Sequence, residues 1–297
     1  MHDNVKIGII GGDVRQNVLC RRLSENGFEI ASWGLGKGDI GRAVRCVGFE
    51  NALKNSKAVI LPLPAFKDGK YSIISQCTDE VLSLAQLLYT MPKDALLLCG
   101  KADTVVRNSA RDHGIELVDY YENEELQIKN AIPTAEGAIE IAMRELPITL
   151  NGCRALICGY GRIGKVLSHL LKALGAKVYV SARKESDLAY ISAFGNTPVR
   201  YESASFLGVA STADVIFNTV PFSVIDKTVI ENMKRCKLIV DLASGKGGVD
   251  FEAALKKQIK SIHALALPSK VAPITAGEIL GDCINTILVE KGVLSKQ

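Results

Sequence analysis

Three glycines in the middle of the chain have the spacing of a phosphate-binding turn, because Gly159, Gly161 and Gly164 form the pattern G-x-G-x-x-G. In such a turn the first glycine permits a tight bend, the second lets the backbone approach a pyrophosphate, and the third lets a helix pack closely on a strand. The N–H groups and the positive dipole end of the following helix then face the phosphates. We therefore predict that this turn binds a dinucleotide through Gly159, Tyr160, Gly161, Arg162, Ile163 and Gly164.

The residues after the next predicted strand indicate which dinucleotide is bound. NAD sites usually place an acidic residue about 20 positions beyond the glycines, where it binds the ribose hydroxyls. This chain has Ser181, Arg183 and Lys184 near that position, and its first carboxylate there is Glu185. Because a hydroxyl and two cations suit a 2′-phosphate, we expect NADP rather than NAD. The alternative is that both cations belong to a solvated loop.

Two further polar segments follow apolar runs that we predict to be strands of the same sheet. Asn218, Thr219 and Pro221 end one run, and we expect them to contact the ribose or carboxamide of the cofactor. A plain strand-ending turn is the alternative. Lys246 lies in a glycine-rich segment after the next run, where its ammonium group can pair with a substrate carboxylate. Loop flexibility alone is the other explanation for those glycines.

Candidate catalytic residues lie nearer the start of the chain. Glu136 and its neighbour Thr134 belong to a stretch, residues 130–137, that we interpret as the opening of a helix between two domains. We take Glu136 as a general base and Thr134 as a second candidate, with helix capping as the alternative role of the glutamate. Arg15 follows a glycine turn and has the planar fork that binds a carboxylate bidentately. An exposed helix arginine is the alternative there.

The elements that must position these residues form two similar halves. An apolar run, a glycine turn, a helical pattern and another apolar run follow one another over residues 155–182, and the same order recurs over residues 7–33. In the first half Asp13 and Gln16 stand where the second half has glycines, so a carboxylate there would repel a pyrophosphate. We predict an α/β fold of two tandem Rossmann-like, doubly wound domains, of which the second binds the dinucleotide and the first holds the substrate.

The length of 297 residues is that at which single cores usually split into domains. Ligands of such folds bind beyond the carboxyl ends of the strands, so we expect both sites to open into a cleft between the domains. We expect four segments: a substrate domain at 1–130, a connecting helix at 131–150, the NADP-binding domain at 151–274, and a helix at 275–297 that packs back on the first domain.

Composition argues against several other classes of protein. A net charge of +4 and 6% aromatic residues are too little for a nucleic-acid surface. No apolar run reaches the roughly 18 residues of a membrane span, and no signal-peptide pattern opens the chain, so we expect a cytoplasmic protein. The eight cysteines contain no C-x-x-C pair and the four histidines are scattered. We expect buried free thiols and no metal site.

Several motifs together resemble those of the dipicolinate synthase A-subunit family of endospore-forming bacteria, and the resemblance covers the whole chain. They are far more specific than the dinucleotide turn, which many dehydrogenases share. The motifs are residues 11–16, 132–137, 159–164, 241–244 with 247–248, and 271–273 with 275–277.

The resemblance implies oxidation of a dihydrodipicolinate-type precursor, drawn from the lysine pathway, to pyridine-2,6-dicarboxylate. It also implies a flavoprotein-like partner, the B subunit of dipicolinate synthase, and a role during sporulation in the mother cell. We further expect a small dicarboxylate substrate and a homo-oligomer. Two alternatives stay open: another NAD(P)-dependent amino or hydroxy acid dehydrogenase of the two-Rossmann class, and a non-catalytic NADP-binding subunit.

The chain departs from the family pattern at two places. Gly245 and Lys246 stand where the pattern has Arg-Pro, which keeps a cation but loses the planar guanidinium fork. Ala266 and Ser269 replace glycines expected around a Leu-Pro pair, and their side chains leave less room for close approach of the backbone.

Overall fold

The computed structural model describes residues 5–66, 69–75, 77, 80–201 and 203–293. Residues 1–4, on which part of the signal-peptide expectation rests, lie outside this description. The chain divides into two compact units. The first unit contains the described residues up to Lys129 and those from Ala272 onward, and the second runs from Asn130 to Val271.

The first unit is built on a six-stranded parallel sheet with strand order β3-β2-β1-β4-β5-β6. Its strands read as nearly continuous apolar runs because helices cover both faces of a parallel sheet. The strands are β1 (Lys6–Ile10), β2 (Glu29–Trp33), β3 (Val44–Arg45), β4 (Ala58–Ile60), β5 (Leu96–Cys99) and β6 (Leu117–Asp119). The helices are α1 (Val14–Glu25), α2 (Phe49–Leu53), α3 (Leu84–Thr90) and α4 (Thr104–Asp112), and a 3₁₀ turn spans Tyr120–Glu122.

The second unit repeats this plan, with strand order β12-β11-β10-β7-β8-β9. Its strands are β7 (Arg154–Cys158), β8 (Lys177–Ala182), β9 (Thr197–Arg200), β10 (Val215–Asn218), β11 (Leu238–Asp241) and β12 (Lys260–His263). Its helices are α6 (Arg162–Ala173), α7 (Glu185–Ala193), α8 (Ala204–Thr212), α9 (Lys227–Asn232), α10 (Phe251–Lys256) and α11 (Leu267–Val271). The two sheets confirm the prediction of two Rossmann-like α/β domains.

The long helix α5 (Glu124–Glu145) passes from the first unit into the second. We expected the connecting helix to open over residues 130–137. Instead Pro133 lies inside α5, which begins nine residues before it at Glu124. The Thr134 hydroxyl donates to the carbonyl of Asn130 at 2.7 Å, so it serves the backbone at the interrupted turn.

The last helix, α12 (Pro273–Glu290), packs against α1 within the first unit. Two glycines of α12 face α1 at this contact. A Cβ at Gly277 would lie 2.7 Å from the Cβ of Val18 and 2.9 Å from the carbonyl oxygen of Arg15. A Cβ at Gly281 would lie 2.8 Å from the Cδ of Arg22. None of the described helices is long and apolar enough to cross a membrane.

Candidate functional site

The predicted dinucleotide turn joins β7 to α6, and packing dictates two of its three glycines. Gly159 has φ 98°, and a Cβ there would lie 2.5 Å from the hydroxyl oxygen of Thr219. A Cβ at Gly164 would lie 2.2 Å from the carbonyl oxygen of Gly159. No side chain fits at either position, so the turn and the first turn of α6 pack tightly on the end of the sheet.

The remaining glycine of the turn faces open space. Apart from its two sequence neighbours, no described residue places an atom within 4 Å of a Cβ built at Gly161. Gly161 is also the N-cap residue of α6, and no side chain caps this helix. The first N–H groups of a helix have no partner within it, and together with the helix dipole they attract an anion. This end of α6 therefore fits the pyrophosphate of a dinucleotide.

The corresponding turn of the first unit is closed. Asp13 is the N-cap residue of α1, and its carboxylate accepts a hydrogen bond from the backbone N–H of Arg15 at 3.0 Å. The Gln16 side chain completes a capping box by accepting from the backbone N–H of Asp13 at 2.9 Å. Side chains thus occupy the start of α1, whereas the equivalent start of α6 in the second unit is open.

Arg15 does not offer the free guanidinium group that we predicted for a substrate carboxylate. Its Nε and Nη2 donate to the two carboxylate oxygens of Asp13, and Nη2 also donates to the carbonyl oxygen of Leu63 at 2.6 Å. The Arg15 side chain is only 12% exposed. Its charge is compensated and its fork is occupied, so we remove Arg15 from the candidate substrate site.

Asn218 and Asp241 lie on neighbouring strands beside the turn and form a buried network. Asn218 Nδ2 donates to Asp241 Oδ1 at 2.9 Å and to the carbonyl oxygen of Val220, and Asn218 Oδ1 accepts from the N–H of Val220. Both side chains are fully buried. Asn218 therefore shapes the loop after β10, and its amide is not presented to a ribose or carboxamide as we had predicted.

Asp241 also organises the glycine-rich loop that follows β11. Its carboxylate accepts from the backbone N–H groups of Ala243 at 3.1 Å and Gly248 at 2.8 Å. A Cβ at Gly247 would lie 2.1 Å from Asp241 Oδ2, so packing requires this glycine. The loop folds over the carboxylate and leaves Lys246 exposed at its tip.

The other two predicted residues after β10 have different surroundings. Thr219 is half-buried, and its hydroxyl donates to the carbonyl oxygen of Cys158 at 2.9 Å. This places Thr219 beneath Gly159, as a support of the glycine turn. Pro221 is exposed. The sequence pattern identified the segment but not the support role, because that role depends on a contact between two strands.

At the end of β8, the three residues that we assigned to a 2′-phosphate differ in their exposure to solvent. Ser181 is 2% exposed, and its hydroxyl lies against the Cys158 thiol, so it does not reach solvent. Arg183 and Lys184 are exposed just beyond the strand, before α7. Glu185, the first carboxylate after the strand, forms an ion pair with Arg200. Its charge is therefore compensated near the two cations.

Glu136 lies in the middle of α5 and not in a first helical turn. Helix capping, the alternative explanation for this glutamate, is therefore excluded. Its side chain is exposed, whereas the next residue packs inward: a Cβ at Gly137 would lie 3.2 Å from atoms of Leu267 and Val271 in α11. Thr134, two residues before Glu136, is half-buried, and its hydroxyl is already bonded to the backbone.

A cavity of about 440 Å³ opens on the second unit beside the dinucleotide turn. It follows one flank of α6 at helical spacing and reaches the far end of α7. Of the six turn residues, Tyr160 alone lines it, so it is distinct from the space in front of Gly161. Its lining is Tyr160, Lys165, Ser168, His169, Lys172, Tyr190, Phe194 and Asn196. Among the described residues, no group of three or more His, Cys, Asp or Glu side chains is arranged to hold a metal.

Two family models match the chain. Residues 6–121 match the N-terminal domain of the dipicolinate synthase A subunit. Residues 123–267 match the NAD binding domain of the D-isomer specific 2-hydroxyacid dehydrogenases. The second match contains the open glycine turn. The chain thus carries a dehydrogenase-type domain that binds a nicotinamide cofactor.

Individual relatives extend this similarity to the whole chain. It is 34% identical to the dipicolinate synthase A subunit of Bacillus subtilis (strain 168) over 293 residues, 98% of each sequence. The crystal structure of the A subunit from Bacillus halodurans has 30% identity and a TM-score of 0.89, covering 97% of this chain and 99% of that one. The crystal structure of the same protein from Bacillus subtilis has 33% identity and a TM-score of 0.86, covering 98% and 97%. These similarities confirm the resemblance seen in the motifs, and the chain belongs to the dipicolinate synthase A-subunit family.

Proposed function

We propose that this chain oxidises a dihydrodipicolinate-type precursor to pyridine-2,6-dicarboxylate with NADP, beside a flavoprotein-like B subunit in the mother cell of a sporulating bacterium. The observation that carries the proposal is the open, uncapped start of α6 at Gly161. Membership of the A-subunit family supports the choice of substrate and partner. NADP, when bound, supplies a hydride acceptor for a carbon of the substrate ring.

The residues of the chain supply orientation, charge and a proton acceptor. The precursor loses a hydride and a proton, and the products are the aromatic diacid, NADPH and a proton taken up by a base. Glu136 is exposed on α5 and is our candidate for that base. Lys246, exposed at the tip of its loop, is a candidate for pairing with a substrate carboxylate. Thr134 has no assigned step, since its hydroxyl bonds to the backbone.

The direct test is NADPH formation by the purified chain, alone and with the B subunit, from freshly generated precursor. We expect the absorbance of NADPH to rise only when the dihydrodipicolinate-type precursor is the substrate. Oxidation of alanine or lactate instead would favour another dehydrogenase. If the chain binds NADPH but turnover occurs only when an electron acceptor for the flavoprotein is added, a non-catalytic role is favoured.

Glu136→Gln should reduce kcat at least about tenfold and leave NADPH affinity unchanged, whereas Glu140→Gln on the same helix should change neither kcat nor NADPH affinity.

Cofactor choice depends on the two cations after β8. Replacing Arg183 and Lys184 together by alanine should raise the Kd of NADPH at least about tenfold, or about 1.4 kcal/mol, and change that of NADH little. The reason is that only NADPH carries the 2′-phosphate that these cations would neutralise. Fluorescence titration with both cofactors measures the two constants. An equal loss for both would refute the preference for NADP.

A further inference from the structure

Lys101 stands in a backbone conformation that a lysine rarely adopts. Its φ is 66°, in the left-handed region that favours glycine. Non-glycine residues in this region cost of order 1 kcal/mol or more, and they persist where the surrounding structure holds them in place. Such residues concentrate at functional sites. The lysine therefore needs an explanation beyond the turn itself, which glycine would form with less strain.

A buried carboxylate holds this turn. Asp119, which is 8% exposed, ends β6. It accepts hydrogen bonds from the backbone N–H groups of Lys101 at 2.9 Å and Ala102 at 2.7 Å. It also accepts from the N–H of Tyr121 at 2.9 Å and from Arg107 at 3.2 Å. Four donors on one buried carboxylate hold the lysine turn in place.

The turn lies at the carboxyl edge of the first sheet, directly after β5. The preceding residue, Gly100, is packed: a Cβ there would lie 2.5 Å from the hydroxyl oxygen of Tyr120 and 2.7 Å from the carbonyl oxygen of Pro62. The carbonyl of Gly100 accepts from the N–H of Ala65, which ties the loops after β4 and β5 together. Ligands of doubly wound sheets bind beyond this edge.

Two arginines in the helices near these loops already have partners. Arg15 pairs with Asp13, and Arg107 pairs with Asp119 and Glu122. The Lys101 side chain is exposed, and no ion pair joins it to another residue within the described ranges. Its exposed ammonium group is suited to a carboxylate ligand.

We infer that Lys101 binds a carboxylate of the substrate, and that Asp119 positions it by holding the strained turn. The inference rests on the proposed function, since it takes the ligand to be a small cyclic diacid. Sequence reasoning missed Lys101, because the residue has no motif and is recognisable only by its backbone conformation.

The test measures binding of pyridine-2,6-dicarboxylate to the full chain by titration calorimetry, independently of turnover. Lys101→Met should weaken diacid binding at least tenfold and leave NADPH binding unchanged. Lys101→Gly should lose the same affinity, yet its unfolding midpoint should equal or exceed that of Lys101→Met because the strain is relieved. As a control, Lys54→Met removes an exposed lysine at the opposite edge of the sheet, before β4. This variant should change neither diacid binding nor NADPH binding.

Diacid affinity within twofold of wild type in Lys101→Met would overturn the inference, and so would undetectable diacid binding by the wild-type chain at millimolar concentration. Asp119→Asn should weaken diacid binding less than Lys101→Met does, and equal effects would argue against a positioning role. Diacid binding that depends on Lys101, in a chain that shows no turnover with the B subunit, would instead refute the proposed oxidation and leave the Lys101 site standing.

Discussion

At the scale of single residues, the three glycines of the second turn have different reasons to be glycine. Gly159 and Gly164 have no room for a side chain, because protein atoms lie 2.5 Å and 2.2 Å from their Cβ positions. Gly161 has no such neighbour, so packing does not require it. Its open Cβ side, at the uncapped start of α6, leaves room for the pyrophosphate that we propose binds there.

This difference predicts that alanine at Gly161 affects NADPH binding, whereas alanine at Gly164 affects stability. Gly161→Ala should fold like the wild type but weaken NADPH binding at least about tenfold, since its methyl group occupies the approach of the pyrophosphate. Gly164→Ala should lower the free energy of unfolding by about 1–3 kcal/mol through overpacking. Calorimetric melting and NADPH titration of both variants separate the two effects. Normal NADPH affinity in Gly161→Ala would contradict the role of the open turn.

At the scale of elements, the sequence predicted most of the strands and the helix that follows each glycine turn, because apolar runs and helical spacing are local signals. The course of α5 was not predictable in the same way. Pro133 resembles a helix start, and only the structure shows that the helix begins earlier, at Glu124. The buried pair of Asn218 and Asp241 was also missed as a pair, because strand order brings them together.

The packing of α12 on α1 gives a second pair of contrasting substitutions. Gly277→Ala should lower the free energy of unfolding by about 1–3 kcal/mol, because its Cβ meets the Arg15 carbonyl and the Val18 side chain of α1. Gly281→Ala should be nearly neutral, since it meets only the flexible Arg22 side chain and alanine favours a helix. Urea unfolding followed by fluorescence of Trp33, the single tryptophan, reports on the first unit. Equal losses in both variants would argue against this packing.

At the scale of the whole molecule, thiol reactivity tests the folding of both units together. Cys77 is exposed and Cys46 half-exposed, while the other six cysteines are buried. Burial raises the pKa of Cys158 to about 12 and that of Cys153 to about 11. At pH 8 such thiols stay protonated and inaccessible, so Ellman's reagent should titrate two thiols quickly and the rest only after denaturation. Rapid reaction of more than two thiols in the native chain would contradict the described core.

The two units have equivalent strand orders but differ at the first helix of each, and we propose that this difference determines which unit binds the cofactor. Asp13 and Gln16 close the start of α1, whereas no side chain caps α6 at Gly161. Titration calorimetry of NADPH into the full chain, repeated with the B subunit present, measures the number of sites directly. We predict one NADPH per chain. No binding of NADPH or NADH under either condition, or two equivalent sites per chain, would contradict the assignment of the second turn as the dinucleotide site.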